Sequence, residues 1–388
     1  MKTIYMFLVR VCSLLFIGQR KTAVTYLMSF SNNQEFVVRL AKKIAPQQLN
    51  VYTDFDHQQR LDQLHSVSNI HLQTFGNNLH LFLNLIPLLM RSQLIIADNY
   101  FPFLGGLVKT KKMQIVQLWH ANGAIKAFGF SDPTTEKRGT SAQLRFQRVY
   151  NSFDDIIVGS EKMADAFQIN YRLDGHQIKR LGYPRTDKFS DENWVTAVQR
   201  KFFTAYPNLK GKRLILYAPT YRKDVTFEFA PHFDQLVLPE NAVLILRLHP
   251  HLQALEETWE KKLPFITAID PKITTDELLT VTDTLITDYS SILFDFTLLK
   301  NAHNIGLFAF DQREFDATVG LQRDFETEFH AILIRNVKQL SNFFANPEDQ
   351  KQTIAQINQN WNQFNDGQAT ERTLNYLLER SGSHASQN

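Results

Sequence analysis

Several side chains able to do chemistry stand where an apolar run gives way to a turn. His120 follows Ile115-Val-Gln-Leu-Trp119 and precedes Ala121, Asn122 and Gly123, with Lys126 shortly beyond. A neutral imidazole at such a strand end can accept a proton near neutral pH, and it can equally serve a structural hydrogen bond. Asn122 brings a donor and an acceptor, Gly123 permits close backbone approach, and Lys126 can offset a phosphate charge or lie solvated at the surface.

Arg247 and His249 flank Leu248 and are followed by Pro250. In an extended strand they point to one side, where a guanidinium fork and an imidazole can face an anion or cap the strand edge. Thr287-Asp-Tyr-Ser-Ser291 is the clearest phosphate candidate. The hydroxyls of Ser290 and Ser291 and the amides of a helix start meet there, although the same atoms can merely cap the helix. Asp288 can orient a histidine, hydroxyl or sugar, and Asp295 falls one helical turn after Ser291. Arg185 and Arg222 each follow a proline-containing turn and can bind acidic groups or make salt bridges.

These residues need strands to deliver them to a common edge. Val24–Phe30, Asn50–Thr53, Leu94–Ala97, Ile115–Trp119 and Asp154–Val158 read as strands in the first half. Arg213–Tyr217, Val243–Leu246, Thr284–Ile286 and Ile305–Phe310 do so in the second. Most are short apolar runs ending in polar residues, as buried parallel strands do. Ser160 is placed to cap a helix from Glu161, Pro87 to break the helical stretch Leu79–Met90, and 315–329 reads as loop plus helix. The expected class is α/β, with two doubly wound domains facing a cleft and a boundary between 180 and 210.

At 388 residues, with 44% hydrophobic and 21% charged residues, the chain has material for two substantial cores. The formal charge of +3 does not announce a nucleic-acid protein. Before position 51, however, seven basic residues face the single Glu35, which favours an anionic surface. Met1–Gly18 can form a helix with Arg10 reaching out of an apolar face and Arg20 and Lys21 as a cationic collar, or equally a buried first helix; its apolar stretch is too short to span a bilayer. Cys12, the one cysteine, excludes an intrachain disulfide. No Gly-Lys-Ser/Thr phosphate loop or His-Glu-x-x-His motif occurs, and His57, His249 and His251 do not specify a metal site.

Taken together and in order, Trp119-His-Ala-Asn-Gly-Ala-Ile-Lys126, Gly182-Tyr-Pro-Arg-Thr-Asp187, Tyr217-Ala-Pro-Thr-Tyr-Arg222, Arg247-Leu-His-Pro250 and Thr287-Asp-Tyr-Ser-Ser291 resemble the CDP-glycerol glycerophosphotransferase family of wall teichoic acid synthesis. The resemblance covers roughly residues 20 to 365. It implies a GT-B-like architecture of two Rossmann-like domains: an acceptor and membrane-facing domain over 1–185, a CDP-glycerol-binding domain over 186–365, and a carboxyl-terminal helix or tail over 366–388. It further implies that CDP-glycerol donates glycerol phosphate to a polyprenyl-diphosphate-linked disaccharide at the cytoplasmic face of the membrane, with CMP leaving and no cofactor assigned. His120 is then the base, His249 supports the phosphate or departing CMP, and Ser290 and Ser291 contact the donor diphosphate. Asn122, Gly123, Lys126, Arg185, Arg222, Arg247, Asp288 and Asp295 complete the substrate site. The compact length and the form of the Trp119 turn are similar to the primase branch. A polymerase of glycerol or ribitol phosphate, a GT-B glycosyltransferase using a nucleotide-sugar, and a non-enzymatic scaffold are the competing readings.

Overall fold

The computed structural model describes residues 2–54, 61–222 and 227–381, which form two compact units. The first takes the described residues of Met1–Ala121, Gly129–Asp187 and Phe364–Asn388; the second takes those of Asn122–Phe128 and Lys188–Gln363. His57 and the tail after residue 381 lie outside the described residues.

In the first unit, strands β1 (Ala23–Met28), β2 (Leu49–Thr53), β3 (Ile70–Thr74), β4 (Ser92–Ala97), β5 (Gln114–Gln117), β6 (Asp155–Val158) and β7 (Ile178–Arg180) form a parallel sheet of order β3-β2-β1-β4-β5-β6-β7. The order reverses at β1, which pairs with β2 and β4, and such a reversal splays the loops at the strands' carboxyl ends to leave room for a ligand. Inner strands covered on both faces are mostly apolar, as the buried Tyr26, Leu27, Leu94, Ile95 and Ile96 are, and the buried hydroxyls of Thr25 and Ser92 bond each other.

The helix Ala369–Ser381 belongs to this unit. Leu374 and Leu377 enter the same core as Val24, Val37 and Leu94, and Arg380 pairs with Asp155 at 3.2 Å. The carboxyl-terminal segment therefore does not stand apart as a tail up to residue 381. Ser160 caps the helix Glu161–Tyr171 by accepting from Met163 N. Before Pro87 the chain winds into a π-helical turn, Leu81–Leu85, and the α-helix Ile86–Arg91 follows, so the proline marks a change of helix type rather than a break.

The first helix, Lys2–Leu15, buries Met6 and Val9 but exposes Ile4, Phe7, Leu8, Val11, Leu14 and Leu15, with Phe7 61% and Leu15 77% exposed. Among the described residues no helix is long and apolar enough to cross a membrane.

The second unit holds β8 (Arg213–Tyr217), β9 (Ala242–Leu246), β10 (Ile266–Thr267), β11 (Thr284–Thr287), β12 (Asn304–Phe308) and β13 (Leu333–Ile334) in a parallel sheet of order β10-β9-β8-β11-β12-β13. It too reverses, at β8 between β9 and β11. Ile215, Tyr217, Leu246, Ile286 and Phe308 build its core with Phe233 and Phe344. Two Rossmann-like parallel sheets in one chain make the fold GT-B-like.

Candidate active site

In the first unit β5 delivers Trp119 and His120 into a turn built by buried neighbours. Trp119 adopts φ 67°, a left-handed backbone that costs a non-glycine residue roughly 1–2 kcal/mol. Side chains hold it there: Asn33 donates to Trp119 O at 3.1 Å, Tyr183 donates to Asn33 Oδ1 at 3.2 Å, and Asn32 donates to His120 O at 2.9 Å. The imidazole of His120 stacks on Phe30, with centroids 3.8 Å apart, and its Nδ1 lies 2.9 Å from the main-chain oxygen of Asp98. A carbonyl oxygen can only accept, so Nδ1 is the donor in this contact and Nε2 is the nitrogen not engaged by it. Asp98 itself is fully buried and accepts from Ser29 N at 2.8 Å and Phe30 N at 3.3 Å, tying β1's end to β4's. Burial pushes its carboxyl well above the usual range against those hydrogen bonds, and Asp54 adds to the rise.

The segment Gly182–Asp187 supports the same turn. Gly182 has φ 84°, and a Cβ there would sit 2.1 Å from Phe364 O. Tyr183 braces Asn33 and Trp119, Arg185 lies over the Tyr183 ring at 5.6 Å, and Asp187 accepts from the amides of Ala369 and Thr370 at the start of the last helix. Arg185 thus shares a neighbourhood with the His120 turn, whereas Asp187 is structural.

In the second unit the carboxyl ends of β8, β11 and β12 meet around Arg222. Its Nη2 lies 3.0 Å from Asp288 Oδ2, its Nε donates to Asp311 Oδ2 at 2.9 Å, and its Nη1 donates to Thr220 O at 2.9 Å. Asp288 also accepts from Thr220 N and Tyr289 N, at 2.7 and 2.6 Å, and Asp311 accepts from Tyr289 OH at 2.9 Å. Burial lowers the Arg222 pKa, but the two carboxylates outweigh it and hold the group above its ordinary value. The turn continues to Ser290 and Ser291, both half-buried, before the five-residue helix Ile292–Phe296. Ser291 makes no side-chain cap bond, so its hydroxyl is not consumed by the helix start. Asp295 is buried within that helix.

Residues Asn122–Phe128 pack within this second unit. Asn122 donates to Asn362 Oδ1 at 2.8 Å, and Gly123, at φ 79°, leaves no room for a side chain because a Cβ would lie 2.3 Å from the Phe294 ring. Ala127 N donates to Gly320 O and Gln322 N to Ile125 O, both at 2.9 Å, so residues 315–329 furnish the rail on which Lys126 is presented. Lys126 is exposed as a residue, yet its ammonium is crowded by protein. That desolvation lowers its pKa; Asp288 opposes the shift and Arg222 adds to it. Lys126 and the Arg222 cluster therefore share one electrostatic environment.

Arg247 and His249 do not face one side. Strand β9 ends at Leu246, so the two-residue alternation lapses before it reaches them. Arg247, 2% exposed, lies 3.6 Å from Glu256 and donates to Ile269 O at 3.1 Å, which is strand-edge capping. His249 is exposed and stacks on Tyr221 at 4.7 Å.

Among the described residues no group of three or more His, Cys, Asp or Glu side chains is placed to hold a metal ion. The family CDP-Glycerol:Poly(glycerophosphate) glycerophosphotransferase matches residues 18–379. The chain belongs to this family. It is a CDP-glycerol-dependent glycerophosphotransferase, and CDP-glycerol is its donor substrate. Its relatives bear the names of teichoic acid enzymes. It is 31% identical over 318 residues to the teichoic acid glycerol-phosphate primase of Bacillus subtilis strain 168, covering 78% of this chain and 77% of that one. It is 28% identical to the primase of Bacillus spizizenii, covering 97% of each. The structure of the wall teichoic acid polymerase TagF shares the fold, with a TM-score of 0.75 at 18% identity over 98% of this chain and 95% of that one.

Several residues of this glycerophosphotransferase escaped sequence reasoning. Phe30, Asn33, Tyr183, Tyr289 and Asp311 position the singled-out side chains; Tyr183 and Tyr289 stand inside the quoted motifs without a role read for them, and Asp311 carried the signal of an acid just past the strand ending at Phe308.

Proposed function

We propose that this enzyme transfers glycerol phosphate from CDP-glycerol to a lipid-linked teichoic acid acceptor at the membrane surface. The observation that carries this reading is the 2.9 Å approach of His120 Nδ1 to Asp98 O, which makes Nδ1 the donor and assigns Nε2 the role of general base. In the reaction the acceptor oxygen bonds to the glycerol-bearing phosphorus, its proton passes to His120 Nε2, and the phosphoanhydride bond breaks to release CMP. Lys126, Arg222, Ser290 and Ser291 bind the donor diphosphate, with Asp288 orienting Arg222. His249 assists the leaving CMP, and Arg185 offsets charge near the His120 turn. Fixed donors that meet developing charge stabilise the transition state more than the ground state. Asn122, Gly123 and Arg247 act by positioning, and Asp295 through the helix that follows Ser291.

The first unit takes the acceptor and the second the donor. The exposed apolar face of Lys2–Leu15, beside Arg10, Arg20 and Lys21, supports peripheral attachment to the cytoplasmic face of the membrane. A single addition to a lipid-linked disaccharide is supported by the sequence identity to the glycerol-phosphate primases. Repeated addition is supported by the fold shared with TagF along almost the whole chain. Purified enzyme, CDP-glycerol and lipid-linked disaccharide, followed by CMP release and intact product mass, decide between them. A gain of one glycerol phosphate identifies a primase and a ladder identifies a polymerase. Sugar transfer from a nucleotide-sugar, or no turnover with either donor, refutes the proposal.

A further inference from the structure

In the first unit a cavity of about 330 Å³ lies at the carboxyl edge of β1–β4. Its apolar lining is mostly aromatic, Tyr5, Phe75, Tyr100, Phe101 and Phe103 beside Leu81 and Pro102, with Phe75, Phe101 and Phe103 packed at centroid distances of 5.3 to 6.2 Å. Its polar lining is Asp54, the amides of Asn77, Asn78 and Asn99, and Ser29. Among the described residues the lining holds no lysine or arginine, unlike the larger cavity at the opposite strand edge, where Lys109, Lys179 and Arg380 pair with Asp154 and Asp155.

Aromatic faces beside neutral amides and one carboxylate suit a ligand with apolar C–H faces and many hydroxyl or amide groups, and suit a phosphate poorly. We propose that this cavity is the saccharide subsite for the acceptor. The inference rests on the proposed lipid-linked saccharide acceptor and gives that acceptor a place. Its volume is at the small end of ligand pockets, roughly 300–1,000 Å³, fit for a sugar headgroup rather than a polyprenyl chain. Two further observations agree. Tyr5, on one wall, belongs to the helix Lys2–Leu15, whose outer face carries Ile4, Phe7 and Leu8 for the lipid. Ser29 and Asn99, on another wall, adjoin Asp98, the residue that orients His120, so a bound sugar lies next to the proposed base.

Two measurements on the full chain test the subsite. In saturation-transfer NMR with the free disaccharide, the unsubstituted enzyme shows transfer to the sugar protons, and Phe75→Ala and Asn78→Ala lose most of it. In steady-state assays with a short-chain prenyl-diphosphate disaccharide, both variants raise the acceptor KM tenfold or more and leave the CDP-glycerol KM within twofold, while Phe75→Trp restores the acceptor KM. Asn78→Ala alters the exposed first residue of the short helix Asn78–His80 and keeps the test informative if Phe75→Ala misfolds. No disaccharide signal with the unsubstituted enzyme, or a signal equal to it in folded Asn78→Ala and Phe75→Ala, overturns the subsite. Sugar binding without glycerol-phosphate transfer instead refutes the proposed reaction while supporting the subsite.

Discussion

His120 Nδ1 lies 2.9 Å from the backbone oxygen of Asp98, so Nδ1 is the donor there and Nε2 is the nitrogen proposed as the base. His120→Ala removes the proposed proton acceptor without touching Lys126 or Arg222. The expected loss in kcat is roughly 10²–10⁴-fold, with CDP-glycerol affinity within twofold, as read by single-turnover kinetics and donor titration. Equal turnover at saturating substrates would refute the base assignment.

Arg222 bridges two carboxylates and a carbonyl with a planar fork that lysine cannot copy. Arg222→Lys is expected to raise the CDP-glycerol KM by about tenfold and to lower stability by about 1–3 kcal/mol, because Asp288 and Asp311 lose part of their partner. Donor titration and denaturant unfolding measure the two effects separately. An unchanged donor KM in the folded variant excludes Arg222 from the donor site.

The strands that the sequence leaves unread are β3, β7, β10 and β13, and each is the edge of its sheet. An edge strand is covered less completely and carries polar residues, as Ile70-His-Leu-Gln-Thr74 does, so it lacks the unbroken apolar run that betrays the inner strands. The site divides in the same way. Motif residues such as His120 and Arg222 announce themselves by type and place. What Asn122, Gly123 and Arg247 do depends on Asn362, Phe294 and Glu256, each distant along the chain or beyond a strand end that the sequence does not mark.

Gly123 and Gly211 share φ 79°, but a Cβ at Gly211 meets nothing within 4 Å, whereas at Gly123 it strikes Phe294. Gly211→Ala therefore measures the left-handed backbone cost alone, about 1–2 kcal/mol. Gly123→Ala is expected to cost about 1–3 kcal/mol more, because Phe294 and Trp361 must move. Paired unfolding curves give the difference, and equal costs would show that the aromatic contact is soft.

Burial raises the Glu256 carboxyl to about 7, against the lowering influence of Arg247 and the Leu248 amide. Between about pH 4.5 and 7 the folded state then binds more protons at this site than the unfolded state does. Its contribution to stability falls as pH rises through that window and is level above it, by at most on the order of 3 kcal/mol. Glu256→Gln is expected to flatten this component: the stability difference between pH 5 and pH 8 shrinks, even though the variant is less stable overall with Arg247 left unpaired. A difference as large as that of the unsubstituted enzyme would place the titration elsewhere.

The outer face of Lys2–Leu15 offers a separate test of membrane attachment. Phe7 and Leu14 lie seven residues apart, on one face, and both are exposed, so replacing them with glutamate leaves the buried Met6 and Val9 in place. Each large apolar side chain withdrawn from lipid forfeits about 1.5–3 kcal/mol, and the added negative charge opposes an anionic surface. The double variant Phe7→Glu/Leu14→Glu is therefore expected to lose at least tenfold in partitioning to vesicles containing anionic lipid, by sedimentation, with unchanged turnover on a water-soluble acceptor. Raising salt should weaken the unsubstituted enzyme's binding only partly, because Arg10, Arg20 and Lys21 respond to screening while the apolar face does not. Undiminished vesicle binding by the folded double variant would remove this helix from the attachment surface.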